Sequence, residues 1–240
     1  MSSEPRLLLA LTLTLCALAL RAQDESASAA EMPAAAAPNG ALVAHVKRGS
    51  VIAVRSGPNG RVLTSLGSRT EFGSEQALSV VRERRQRWLG VTTPQLPNGT
   101  LGWVDARSRA LRYSRASVKL EIDLSRRQLL VRRSDQVIRR VRVSIGRAGS
   151  PTPTGRFAVT DKLPGARYSS VYGCCILALS GTQPNRPAGW TGGNRLAVHG
   201  TRDQRSVGGR VSAGCLHARD RDLRHLMKAV PLGAPVRIHA

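Results

Sequence analysis

From Leu42 to His239 the chain is a succession of short apolar runs, each ended after a few residues by Gly, Pro, Asn, Ser or Arg. That texture constrains the fold most, because runs this short between turn signals suit strands and leave no room for packed helices. Val118-Lys119-Leu120-Glu121-Ile122-Asp123-Leu124 alternates apolar and polar at period two, as a strand with one face in a core does. Other runs cover Leu42–Val46, Ser50–Val54, Val62–Leu66, Val80–Arg84, Arg87–Val91 and Leu101–Val104, with turns at Gly57-Pro58-Asn59-Gly60 and Pro97-Asn98-Gly99. Gln128–Val131, Val137–Ile145, Arg156–Thr160, Ile176–Leu179, Arg195–His199 and Pro235–His239 continue the series. Only Asp220–Val230, with Leu223, Leu226, Met227 and Val230 at helical spacing, reads as a helix, and Pro231 stops it. The expected architecture is mainly β with one or two short helices. A break at Arg112–Ser117, where Arg and Ser interrupt the pattern, divides it into a part over 42–113 and a part over 116–239.

The first residues stand outside both parts. Arg6 precedes a run from Leu7 to Leu20 of mostly Leu, Ala and Thr, which reads as an export signal over 1–22 rather than a full membrane span. Residues 23–41, rich in Ala, Glu, Ser and Pro, read as a flexible tether. Export would leave Cys174, Cys175 and Cys215 in the mature chain, too few for a disulfide framework. A bond between the adjacent Cys174 and Cys175 closes a small ring of poor geometry, so both are expected to be reduced. The formal net charge of +22 favours anionic partners. Aromatic residues make up only 3% of the chain, too few for base-stacking platforms, so an anionic cell envelope is favoured over nucleic acid.

The chemistry-bearing stretch is His199-Gly200-Thr201, followed by Ser212-Ala213-Gly214-Cys215. A thiol attacks a carbonyl as thiolate, and a neighbouring imidazole can take its proton. Gly214 permits a sharp turn before Cys215, and the N–H groups of Gly214 and Cys215 are candidate oxyanion donors, with Ser212 shaping the turn. Cys174 and Cys175 with His199 and Cys215 fit no common zinc-ligand spacing. His45, His225 and His239 have no partners in sequence and read as surface or edge residues.

These residues carry a resemblance. His-Gly-Thr, then Ser-x-Gly-Cys, together with Thr152-Pro153-Thr154-Gly155-Arg156-Phe157 and a strand pair around Val118–Leu130 and Val137–Gly146, resembles the L,D-transpeptidase catalytic domain (YkuD-like) over roughly Ala116 to His239. Trp88-Leu89-Gly90-Val91 and Asn98-Gly99-Thr100-Leu101-Gly102-Trp103-Val104 are similar to the last hairpin of bacterial SH3-like domains, with both tryptophans expected in the core. The resemblance implies a small SH3-like barrel before a transpeptidase-type β-sandwich. It also implies acyl transfer from a tetrapeptide stem of peptidoglycan through a thioester on Cys215, with His199 as base and the Gly200 carbonyl orienting it. Tyr172, Thr201, His217 and Trp190 are then substrate-contact candidates, with Gly181–Gly193 as a flap over the cleft. His217 stands where Arg is frequent in the family, and Ala213 where a polar residue is common. No metal or organic cofactor is implied. A hydrolase on the same fold and a non-catalytic wall-binding protein remain open as other readings.

Overall fold

Each apolar run read as a strand is a strand in the computed structural model, which describes residues 40–190 and 192–240. The export signal read over 1–22 and nearly all of the tether read over 23–41 lie outside the described residues. The first seven strands are β1 (Ala41–Val46), β2 (Val51–Arg55), β3 (Val62–Gly67), β4 (Ala77–Arg84), β5 (Trp88–Val91), β6 (Gly102–Asp105) and β7 (Leu111–Ala116). They form one antiparallel sheet in the order β3-β2-β6-β5-β4-β1-β7. The two tryptophan runs pair as β5 and β6, with Gly90 opposite Trp103, and Trp88 and Trp103 are buried as expected.

Arg112–Ser117, read as a break, is largely the strand β7, paired with β1 from Ala41↔Ala116 to Val46↔Leu111. Its inner four residues are exposed, so it carries no apolar alternation for a sequence reading to detect. A second correction concerns His45, which is buried rather than peripheral. Its Nε2 lies 2.7 Å from Ser114 Oγ and its Nδ1 3.5 Å from Glu75. Burial, and then the Arg112 charge, hold its pKa below the usual value.

The second sheet follows from β8 (Lys119–Asp123), β9 (Gln128–Arg133) and β10 (Gln136–Arg142). After the two-residue β11 (Ile145–Gly146) come β12 (Gly155–Pro164), β13 (Cys175–Thr182) and β14 (Arg195–His199). Short β15 (Arg210–Ser212) and β16 (Leu216–His217) precede the helix α1 (Asp220–Ala229) and the closing β17 (Pro235–His239). The order β10-β9-β8-β17-β12-β13-β14-β16 makes a curled half-barrel, and β11 pairs separately with β15. Period-two alternation sends Leu120, Ile122, Leu129, Val131, Val159, Leu177, Leu196, Val198 and Leu216 to one core, where α1 adds Leu223 and Leu226. Asp220 and Asp222 in the first turn of α1 face its positive end. Among the described residues no helix is long and apolar enough to cross a membrane.

The two sheets belong to one unit. Val43 and Ala77 of the first sheet sit in the core of the second. Ser180 Oγ accepts the Ala158 N–H at 2.9 Å and donates to Thr92 Oγ1 at 3.1 Å. Asn98 clasps the backbone of Thr182 through both amide atoms, at 2.7 and 2.9 Å. Buried polar groups of this kind hold only when partnered, so these contacts fix the docking in one register.

Candidate active site

The parallel edge pair β14–β16 builds the site. Its register sets Val198 beside Leu216 and His199 beside His217. Because Leu196, Val198 and Leu216 point into the core, Ala197 and His199 share the opposite face with His217. Cys215 directly precedes Leu216, so the same register places it next to Ala197, one diagonal step from His199. Its side chain packs with Ala197, Ile176, Leu163 and Tyr172 in a small apolar cluster on that face.

His199 is buried, and its Nδ1 lies 2.6 Å from the Gly200 carbonyl oxygen, the partner expected from the sequence. A proton on Nδ1 donated to that oxygen leaves Nε2 as the basic nitrogen. The ring also meets Tyr172 edge-on, with centroids 4.9 Å apart, and His217 at 4.6 Å. Burial pushes the His199 pKa down to about 3, the His217 charge acts the same way, and the Gly200 carbonyl opposes both. Burial pushes the Cys215 thiol up to about 11, against a backbone hydrogen bond at Ala197 that lowers it. Cys215 Sγ donates instead to the Arg195 carbonyl, 3.8 Å away. Burial thus favours the neutral thiol of Cys215 and the neutral imidazole of His199.

The turn before Cys215 is fixed from three sides. Ser212 Oγ accepts the Gly214 N–H at 3.1 Å and donates to the Cys215 carbonyl at 2.5 Å. Thr152, from the Thr-Pro-Thr-Gly-Arg-Phe segment, donates to the Gly214 carbonyl at 2.8 Å and accepts the Gly146 N–H at 2.9 Å. Gln183 Nε2 donates to the carbonyls of Pro151 and Ala213 at 2.9 and 3.2 Å. Gly214 has φ +116°, and a Cβ there would overlap the Gln183 amide, so only glycine fits. Its N–H is engaged by Ser212, which leaves the Cys215 N–H as the donor without an acceptor among the described residues.

Gly200 is constrained by close approach. A Cβ there would come within 2.6 Å of Asp220 Oδ1 and 2.7 Å of the Tyr172 carbonyl oxygen. Asp220 Oδ1 in turn accepts the Cys174 N–H at 3.2 Å. Cys174 and Cys175 are joined in a disulfide, correcting the expectation that both are reduced, and Cys215 is the free cysteine among the described residues. The bond sits in the turn after Gly173, where the local backbone rather than residue spacing decides whether neighbouring thiols meet.

The other expected contact residues scatter. His217 is partly buried beside His199, with Nδ1 unpartnered, and burial lowers its pKa. Thr201 Oγ1 accepts the Asp203 N–H at 3.2 Å and lines an open cleft of about 580 Å³ with Arg202, Arg219 and Arg224. Trp190 is exposed, and its indole N–H donates to the Gly193 carbonyl at 3.0 Å within its own loop.

The profile of the YkuD L,D-transpeptidase catalytic domain matches residues 117–238, just over half of the chain. The chain belongs to the YkuD L,D-transpeptidase family. The YkuD protein of Bacillus licheniformis, named as an L,D-transpeptidase, is 26% identical over 120 residues, 50% of this chain and 64% of that one. The similarly named YqjB of Bacillus subtilis is 31% identical over 105 residues, 40% of this chain and 56% of its own. The match thus spans less than two thirds of either relative. An L,D-transpeptidase structure from Mycobacterium smegmatis is 18% identical with a TM-score of 0.43, covering 68% of this chain and 82% of that one.

Two residues of this candidate site, Gln183 and Asp220, escape a sequence reading, and a third, Thr152, is only partly legible. Gln183 lies at the root of a Gly- and Pro-rich loop, where nothing distinguishes it from neighbouring polar residues. Asp220 reads as the first residue of a helix, and only the fold brings its carboxylate to Gly200. Thr152 did have a signal, as the first residue of the Thr-Pro-Thr-Gly segment, but its two partners are set by topology.

Proposed function

We propose that the protein is an exported L,D-transpeptidase that modifies peptidoglycan through a thioester on Cys215. The observation that supports this best is the β14–β16 register, which brings Cys215, the residue before Leu216, to the strand that carries His199, whose Nδ1 is held by the Gly200 carbonyl. Residues 116–239 are the catalytic part and residues 42–113 an SH3-like part. The apolar run after Arg6 is the basis for export to the periplasm or wall.

Cys215 Sγ attacks the carbonyl of the residue before the terminal D-alanine of a tetrapeptide stem, and its proton passes to His199 Nε2. With both groups neutral at rest, proton transfer and attack proceed together. The developing oxyanion takes the Cys215 N–H, and Ser212 frees the Gly214 N–H if a second donor is required; one such donor is worth about 3 kcal/mol. Collapse breaks the C–N bond, and His199 returns the proton to the leaving amine of D-alanine. A side-chain amine of a neighbouring stem then attacks the thioester, gives its proton to His199, and releases Cys215, which is reprotonated. Tyr172 braces the imidazole, while Thr201, His217 and Trp190 contact the stem. The formal net charge of +22 favours association with an anionic wall.

Intact mass after mixing with a carbapenem tests the nucleophile. One adduct per chain, absent from Cys215→Ala, is expected, followed by release of D-alanine from a disaccharide-tetrapeptide. No adduct on folded, reduced protein would overturn the enzyme reading in favour of a wall-binding role.

A further inference from the structure

The first sheet reaches the site. Its loop between β3 and β4 carries Thr70, Glu71 and Phe72, and all three meet residues of the second sheet. Phe72 packs against the same Leu163, Ile176 and Ala197 that support Cys215 and Tyr172. It also meets Tyr168 edge-on, with centroids 6.0 Å apart. Phe72, Tyr172 and Cys215 are each only partly buried, and all three pack against that one apolar cluster.

A polar latch, buried at Asp161 and exposed at Glu71, holds the loop there. Arg195 donates to Glu71 Oε1 at 2.8 Å and to Thr160 Oγ1 at 3.1 Å, and lies 3.8 Å from Asp161 Oδ2. Asp161 is fully buried, and its other oxygen accepts from Thr70 at 2.5 Å. The Arg195 guanidinium also covers the Phe72 ring, 5.5 Å from its centre. Arg195 is the residue whose carbonyl faces Cys215 Sγ. Together with Asn98 on Thr182, this means that the first sheet grips both roots of the Gln183–Asn194 loop, one at Thr182 and one at Arg195.

We propose that Phe72 is a specificity-determining residue of the site: contributed by the first sheet, it extends the apolar surface beside Cys215 and packs the aliphatic side-chain stem of the donor residue that acylates Cys215. Glu71 and Arg195 position it. The first sheet is then part of the enzyme rather than only a module that carries the enzyme to the wall. This rests on the transpeptidase reading above.

The test compares wild type with Phe72→Ala in the full chain, measuring KM and kcat on a disaccharide-tetrapeptide and the rate of Cys215 acylation by a carbapenem, a small probe that does not extend along the cleft. Loss of one partly buried aromatic contact is expected to raise KM about tenfold. The kcat and the carbapenem rate stay within about threefold, because the thiol and imidazole are untouched. Glu71→Gln moves KM in the same direction by a smaller factor. Phe72→Leu, which keeps apolar bulk, falls between wild type and Phe72→Ala and serves if the alanine variant does not fold. An unchanged KM overturns the proposal, and so does an equal fall in kcat and carbapenem rate, which marks a purely structural residue. If wild type itself neither forms the adduct nor releases D-alanine, the reaction fails and this inference fails with it.

Discussion

The Nδ1 of His199 is held at 2.6 Å by the carbonyl oxygen of the very next residue, Gly200, so this imidazole is oriented without a carboxylate. The backbone that carries this carbonyl is closely enclosed, since a Cβ at Gly200 would come within 2.6 Å of Asp220 Oδ1 and 2.7 Å of the Tyr172 carbonyl oxygen. Gly200→Ala should therefore shift the carbonyl and release Nδ1. Overpacking of this kind costs about 1–3 kcal/mol. Acylation of Cys215 is expected to slow by more than tenfold even where urea melts show the variant fully folded. A folded variant with the wild-type rate would mean that the carbonyl does not orient the base.

The neutral resting pair predicts a distinctive pH profile. With the thiol near 11 and the imidazole near 3, an ion pair is not the ground state at neutral pH. Alkylation of Cys215 by iodoacetamide, followed on its own tryptic peptide, should rise about tenfold per pH unit from 7 to 9. Cys174 and Cys175, being disulfide-linked, remain unlabelled until reduced. A rate that is flat over that interval would instead indicate a thiolate already formed and paired with a protonated His199.

Much of this was legible from the residues, because it is local. Period-two alternation marked the strands of both sheets that carry buried faces, and His-Gly-Thr with Ser-x-Gly-Cys marked the two groups proposed to react. What stayed hidden has a common cause. The strand β7 turns Arg112, Tyr113, Ser114 and Arg115 to solvent, so its pairing with β1 leaves no hydrophobic trace. His45 looked isolated because Ser114 is 69 positions away, and nothing in the sequence marks Phe72, because Arg195 lies more than 100 positions further on. Contacts over such separations are products of topology, and one sequence does not display them.

Thr152 offers a test of the support beneath the nucleophile. Its hydroxyl ties the Gly146 N–H to the Gly214 carbonyl in a fully buried setting. Thr152→Val keeps the shape and removes both bonds, leaving a buried donor and acceptor unpaired at a cost of about 2–4 kcal/mol. Denaturant unfolding should show that loss, with carbapenem acylation slowed as the turn before Cys215 loosens. A loss below about 0.5 kcal/mol would mean that water replaces the hydroxyl and that the anchor is dispensable.

The burial of Cys215 and His199 also makes a stability prediction whose sign can be worked out. Folded Cys215 titrates near 11 against 9.0 for a free thiol, so between those values the folded chain keeps a proton that the unfolded chain has lost. Stability from this group is full below pH 9 and falls as pH rises towards 11, by at most about 2–3 kcal/mol. His199 runs the other way. Its folded pKa, near 3, lies below the free value of 6.5, so its contribution is present above pH 6.5 and is lost as pH falls towards 3. Melting temperatures of wild type, Cys215→Ala and His199→Gln across pH 4 to 10.5 separate the two. Cys215→Ala should lose less stability than wild type on the alkaline side alone, and His199→Gln less on the acid side alone. Parallel curves for all three chains would show that water reaches both groups and that the neutral pair is not enforced by burial.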